Sequence, residues 1–424
     1  MGENAGVKNK THTIPSDRSQ FSVLRQICNL IPNHLVPTLA RQTGVQAMSR
    51  TFSPHSHVVT MLFAQITHAV SLNDVCDSLQ LHSGPLSAVR GATPPSRNNL
   101  SHSNRVRPAA LAEKLFWSTL EHLRTQSPGF GKGCGGRFAR RFKATINVVD
   151  STTIALVANC MDWAKHRRRK AAAKCHLRMD LATMLPRFVL VESAKGSDTT
   201  RAPQVCADVK DGEIVLFDRA YVDFAHLHEL TQRGVNWVTR TKTNMKFRVA
   251  KKRIAKPKGN ILRDDEIVLS HAGSKAAYPQ RMRRVLALVR IDEEECAMEF
   301  LTNNLDWAAS SVADLYRARW QIEVFFKQIK QTLQLADFLG NSENAVQWQL
   351  WSALLTYLLL RYLSFCSGWS GSFIRLWAVV RSLLWNKRDL RRVLERYGTA
   401  GARLRCIAQP ETLWLPGLRP RAMG

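Results

Sequence analysis

Tyr316, Arg319, Glu323 and Lys330 lie at offsets of three, seven and fourteen residues from the first of them. At ~100° per residue these offsets fall at roughly −60°, −20° and −40° on a helix, so the four share one polar stripe. Ile322, Phe325, Phe326 and Ile329 supply the apolar face that would pack such a helix. On spacing alone the stripe has two readings. Arg319 and Glu323 form an ordinary i,i+4 ion pair on a solvated face, or Glu323 holds a cation while the two bases hold phosphates beside it. Two further carboxylates favour the second. Asp150 closes the apolar run Ile146-Asn147-Val148-Val149, and Asp218 closes Ile214-Val215-Leu216-Phe217. In α/β sheets functional groups gather at the carboxyl ends of strands, although a cap or turn accounts for either Asp alone. Three carboxylates without a Cys or His pattern suit hard, oxygen-ligated cations, Mg²⁺ first and Mn²⁺ as the alternative. Two such ions ~3.5–4 Å apart activate a water or 3′-hydroxyl and stabilise the leaving oxygen of a phosphodiester.

Charge points to the same class of substrate. Sixty-one Lys and Arg stand against 33 Asp and Glu, a net charge of +28. That excess self-repels unless it lies along a polyanion, so nucleic acid is the leading partner. Hydrophobic residues at 45% exclude general disorder. Residues 1–20 are polar and lack the apolar core of a secretory signal. The longest apolar stretch, 348–366, carries Gln349, Ser352, Thr356 and Arg361, which fits a buried helix better than a membrane span. Nine cysteines with no C-x-x-C spacing argue against a disulfide framework and a structural zinc site. A reduced, cytoplasmic protein is expected, associated with the nucleoid and not with a membrane.

The elements that must position these residues change character along the chain. Residues 1–20 read as a flexible basic arm and 21–125 as helical, with apolar residues at helical spacing. Residues 126–140, rich in Gly and basic groups, read as a linker. Residues 140–240 mix strands (145–149, 154–157, 175–181, 188–191, 214–217, 235–238) with a helix at 224–232, an α/β core. Short β-like runs at 246–249, 266–269, 285–291 and 298–301 place a β-rich insertion over 241–305. A single helix over 310–335 carries the polar stripe, within a segment at 306–340 that returns to the core. Residues 341–424 read as C-terminal helices and a basic tail.

The chain resembles a bacterial insertion-sequence DDE transposase of the family with the signature Y-x2-R-x3-E-x6-K (the IS-four type). Tyr316, Arg319, Glu323 and Lys330 fit it at every position. Asp150 in Val149-Asp150-Ser151-Thr152 and Asp218 in Phe217-Asp218-Arg219-Ala220-Tyr221 match the family's two aspartates. The resemblance covers about residues 20–400. It implies a ribonuclease H-like core holding Asp150, Asp218 and Glu323 as metal ligands, two ions per site, and an insertion between the second Asp and the Glu. It implies that the helical part binds DNA ends, and that a homodimer on double-stranded DNA cuts the terminal inverted repeats of an element and joins them to target DNA. A catalytically silent DNA-binding remnant is the alternative, and three carboxylates kept in so basic a chain argue against it. Terminal repeats flanking the gene would separate the two.

Further DNA contacts are expected at Tyr316, Arg319 and Lys330, in the basic run Arg167-Arg168-Arg169, and at Lys251 and Lys252 in the insertion. His176 reads as a satisfied polar residue on a strand. In relatives a Trp on the last insertion strand receives a flipped base. Aligning residues 300–302 with that strand puts Met298 there, which leaves Trp237 and Trp307 as stacking candidates, Trp237 more simply as core. Residues 98–107 read either as a groove-entering element or as an interhelix contact.

Overall fold

The computed structural model describes residues 17–45, 52–130, 141–156, 165–167, 170–193, 196–242, 244–291, 294–332 and 339–396. Its first elements are the helices α1 (Val23–Cys28), α2 (Leu35–Gln42), α3 (Pro54–Thr67), α4 (Leu72–Leu81), α5 (Ser83–Ser87), α6 (Arg97–Val106) and α7 (Ala110–Gln126). Serine sets four of the starts. Ser22, Ser53, Ser71 and Ser96 each accept a hydrogen bond from the N–H three residues on, satisfying a donor the helix leaves free. Residues 98–106 thus belong to helix α6, and Arg107 follows as its C-cap. Its Leu100, Ser103 and Asn104 are buried, while Arg97, Asn98, His102 and Arg105 are exposed.

The sheet follows: β1 (Ile146–Leu156), β2 (Lys165–Arg167), β3 (Lys170–Asp180), β4 (Leu185–Ser193), β5 (Ile214–Phe217), β6 (Asn236–Arg240), β7 (Phe247–Lys252), β8 (Ile261–Leu269), β9 (Met282–Ile291) and β10 (Glu294–Thr302). Helix α8 (Asp198–Val205) precedes β5. A 3₁₀ turn (Arg219–Tyr221) and α9 (Phe224–Gln232) follow it, and α10 (Ala272–Ala277) links β8 to β9. Strand order is β2-β3-β1-β5-β6-β10-β9-β8-β7, with β4 on β3. β1, β5 and β6 run parallel. β3 is antiparallel to β1 and β4, and β7 to β10 form a meander joined to β6 through β10. The architecture is mixed α/β, and the β-rich segment extends the core sheet.

Two expectations need correction. The runs expected at 145–149 and 154–157 meet in the one strand Ile146–Leu156, so Asp150 does not end β1. It ends the parallel ladder with β5, whose last pair is Val149 with Phe217, while the antiparallel ladder with β3 continues to Leu156 opposite Ala171. The helix expected over 310–335 is also divided, into α11 (Ala309–Ala318) and α12 (Trp320–Thr332). At the joint the N–H of Arg319 donates to Tyr316 at 3.1 Å and that of Ile322 to Arg319 at 3.0 Å. These i→i−3 bonds tighten the backbone, as a 3₁₀ turn does.

Alternation along the strands gives the sheet two cores. Ile146, Val148, Leu216, Val238 and Phe300 pack with α11, α12 and α13 (Glu343–Cys366). Val149, Val215, Phe217, Trp237 and Leu301 pack on the other side with α8 and α9. Helix α13 is buried along most of its length, because it joins the sheet to the N-terminal helices. Its Asn344 side chain donates to the carbonyls of Asn104 and Arg107 and accepts from the Ala109 N–H. The chain then closes with α14 (Phe373–Ser382) and α15 (Leu390–Arg396).

Helix α3 meets α13 at His57. The fully buried ring bonds to Asn104 at 2.8 Å and lies 4.2 Å from the Trp348 ring. Burial, and then the Arg107 charge, push its pKa from 6.5 to about 3. Between these values the unfolded chain binds a proton that the folded one does not. Stability is therefore full above pH 6.5 and falls as pH drops towards 3, by up to ~1.4 kcal/mol per pH unit. His57→Gln should flatten this acid limb in thermal melts, and an unchanged slope would place the acid-labile group elsewhere.

Candidate active site

Asp150 leaves β1 in phase with Ile146 and Val148, on the face packed by α11 to α13. Asp218 continues the phase of Ile214 and Leu216 just beyond β5. There it caps the 3₁₀ turn, its Oδ2 accepting the Ala220 N–H at 3.3 Å. Parallel pairing of β1 with β5 sets the two aspartates side by side at the end of one ladder. Glu323 faces them from the first turn of α12.

Arg319 ties the set together. Its Nη1 donates to Asp150 Oδ2 at 3.1 Å and its Nη2 to Glu323 Oε1 at 2.7 Å. Its guanidinium stands 5.3 Å from the centre of the Tyr316 ring. The Arg319 side chain is 7% exposed, Asp150 15% and Glu323 47%. Burial pushes the Asp150 carboxyl up to about 6. The Arg319 charge and the Ser151 N–H, at 2.7 Å from Oδ1, oppose this, while the charges of Asp218 and Glu323 add to it. The three carboxylates therefore share one electrostatic neighbourhood in which the Arg319 guanidinium bridges two of them.

Three carboxylates against one guanidinium suit a cation, and the donors are all hard oxygens. Among the described residues, however, no three carboxylates stand close enough together to grip one ion. The Arg319 guanidinium bridges Asp150 and Glu323 instead. It is thus engaged with carboxylates, not displayed for phosphate.

The other stripe residues also part company. Tyr316 is buried, its ring 5.0 Å from that of Phe300. Lys330 stays exposed, and its Nζ donates to the Thr153 carbonyl at 2.9 Å, with burial of the amine lowering its pKa. Lys330 and Lys327 line one side of an open cleft of about 460 Å³ whose other walls are Asp150, Ser151, Thr152, Glu323 and Phe326. Lys327 was missed from sequence, although it is one turn from Glu323. On β7, Lys251 and Lys252 are exposed, and Lys251 approaches Glu266 at 4.0 Å. Arg167 ends β2; its side chain, and Arg168 and Arg169 entirely, lie outside the described residues.

Trp237 is fully buried, with its Nε1 bonded to Thr231 at 3.0 Å, and cannot stack on a ligand. Trp307 is half-buried, edge-on to Phe142. Met298 lines a cavity of about 280 Å³ with Arg290, Phe300, Tyr316, Arg317 and Trp320. Trp320, next to Arg319, is 41% exposed. Sequence reasoning passed over it, yet at ~100° per residue it falls roughly opposite the face made by Ile322, Phe325 and Phe326.

Residues 141–359 match the family described as Transposase DDE domain. Residues 19–89 match a domain of unknown function, DUF4372. A protein of Sinorhizobium fredii named "Putative transposase y4zB" is 29% identical over 70% of this chain and 79% of its own length. The "Probable transposase for insertion sequence element IS5377" of Geobacillus stearothermophilus is 25% identical over 79% of this chain and 82% of its own length. Transposase InsG for insertion sequence element IS4 of Escherichia coli is 23% identical over 43% of this chain and 42% of its own length. Among the described residues no helix is long and apolar enough to cross a membrane.

Proposed function

Because the chain belongs to the Transposase DDE domain family of insertion-sequence transposases, we propose that it binds the terminal inverted repeats of its element, cleaves them and joins them to target DNA. One observation carries this reading. Asp150 and Asp218 lie side by side at the end of one parallel ladder, and Glu323 is joined to Asp150 through the Arg319 guanidinium. Strand order β4-β3-β1-β5-β6, with β3 antiparallel to its neighbours, supports a ribonuclease H-like core. The meander over β7 to β10 is the insertion in that core.

The three carboxylates are the residues that would hold Mg²⁺ or Mn²⁺, two ions per site. When bound, such ions polarise the attacking and leaving oxygens of a phosphodiester. The chain's own groups do the rest. Lys330 and Lys327 edge the cleft and would take phosphates of the bound strand. Arg319 and Tyr316 would contact the backbone near the cleaved phosphate, Arg319 only on leaving its bonds to Asp150 and Glu323. Arg167, Arg168, Arg169, Lys251 and Lys252 would also contact the DNA backbone. Residues 21–125 would bind the element ends, with the exposed face of α6 available to a groove, since that helix carries Arg97, His102 and Arg105 and no acidic residue. Pairing of two ends requires a homodimer on the DNA. The protein would act in the cytoplasm, at the nucleoid.

Incubating the protein with end DNA and Mg²⁺ tests the function. Strand cleavage at the repeat boundary is expected, and binding without cleavage would indicate a silent remnant. Lys330→Ala tests the cleft. A surface lysine bonded only to Thr153 would leave DNA affinity alone, whereas a phosphate ligand would weaken it. The slope of log K against log[salt] should shrink by about 0.9 when that one phosphate is no longer neutralised. An unchanged slope and affinity would return Lys330 to a structural role on β1.

A further inference from the structure

Immediately after Asp150 the alternation of β1 turns Ser151 to the opposite face of the sheet, towards α8. A polar cluster gathers there. Ser151 Oγ donates to Asp198 Oδ1 at 2.6 Å, and Lys174 Nζ donates to Asp198 Oδ2 at 2.9 Å. His176, fully buried, lies 3.2 Å from Glu192 through Nε2 and 2.9 Å from the Tyr221 hydroxyl through Nδ1. Glu192 accepts only, so Nε2 carries the proton and Nδ1 accepts from the tyrosine O–H. Arg201 holds Glu192 from α8 with two bonds. Tyr221, 1% exposed, is the last residue of the 3₁₀ turn that Asp218 caps, and its N–H donates to the Asp218 carbonyl at 3.0 Å.

The cluster therefore grips the residue after one carboxylate and the turn after the other, from behind the sheet. As a source of stability a buried ionic cluster is poor beside apolar packing, but it fixes relative positions well. We propose that Tyr221, Ser151 and His176 are positioning residues that fix the backbones of Asp150 and Asp218 relative to each other, so that their carboxylates can close on a metal ion. The inference rests on the metal-binding role proposed above. Groups behind metal ligands typically contribute 10–100-fold to metal affinity.

Tyr221→Phe removes one hydroxyl and keeps the ring. The test measures Mn²⁺ affinity of the full chain by the electron paramagnetic resonance of free Mn²⁺, alongside metal-free thermal unfolding and end-DNA affinity. Tyr221→Phe should weaken Mn²⁺ binding about 10–100-fold, leave metal-free end-DNA affinity unchanged, and regain cleavage at high Mn²⁺. Ser151→Ala should shift Mn²⁺ affinity in the same direction, and it decides the matter if Tyr221→Phe does not fold. Wild-type Mn²⁺ affinity in the folded variant overturns the positioning role. Asp150→Asn separates this from failure of the underlying reading. If Asp150→Asn abolishes Mn²⁺ binding and the positioning variants do not weaken it, only the positioning role fails. If the wild type binds no Mn²⁺, both fail.

Discussion

Asp150→Asn, Asp218→Asn and Glu323→Gln are each expected to lower Mg²⁺-dependent cleavage of end DNA by roughly 10³-fold or more, with end binding nearly intact. Each substitution keeps the shape of the side chain and removes one negatively charged oxygen. Losing one preorganised electrostatic partner of a transition state costs about 10²–10³ in rate, and loss of a metal ligand removes the ion as well. Binding should survive because it is spread over a chain of net charge +28 and phosphate contacts dominate affinity. The three variants should also resemble one another and their combinations, since residues that act as a unit are not additive. Strong residual cleavage in any one of them would remove that residue from the site.

Arg319→Ala is expected to destabilise the metal-free protein by about 3 kcal/mol at pH 8, the low end of the range for leaving one partner of a buried pair alone. The relevant partner is Asp150, with its side chain 15% exposed; Glu323, at 47%, stays solvated and adds little. The sign of the pH dependence follows from the Asp150 carboxyl, which burial already holds up at about 6. Without the guanidinium it would rise further. The extra penalty of ionising it is then absent at low pH and grows as pH rises through 6 and beyond. Thermal melts of variant and wild type should therefore diverge between pH 5.5 and pH 8. A constant gap would mean that Arg319 acts by packing on Tyr316, not by charge.

Where local composition was decisive, the sequence carried the structure. Residues 214–217 are apolar without interruption and form β5, and 224–232 form α9 within the expected bounds. The ion pair of Arg319 with Glu323 was legible too, because the two sit four residues apart. The division at Arg319 was not. No Gly or Pro marks it, and the joint coincides with an ion pair to a strand 169 residues away. The strand through Asp150 was hidden by its polar centre, Asp150-Ser151-Thr152-Thr153, which β3 pairs throughout. The cluster behind it was equally hidden, since His176 meets Tyr221 across 45 residues and Ser151 meets Asp198 across 47.

Iron bound at the proposed metal site would report its neighbours directly. Fe²⁺ bound in place of Mg²⁺, with ascorbate and peroxide, releases hydroxyl radicals that cut the polypeptide close to the ion. Mapping the fragments of the wild-type protein on end DNA should give cuts in three separate stretches, around Asp150, Asp218 and Glu323. Excess Mg²⁺ should suppress them and Asp150→Asn should abolish them. Cuts around Glu192 and Asp198 instead, or cuts indifferent to Asp150→Asn, would contradict the assignment of these three carboxylates as the metal site.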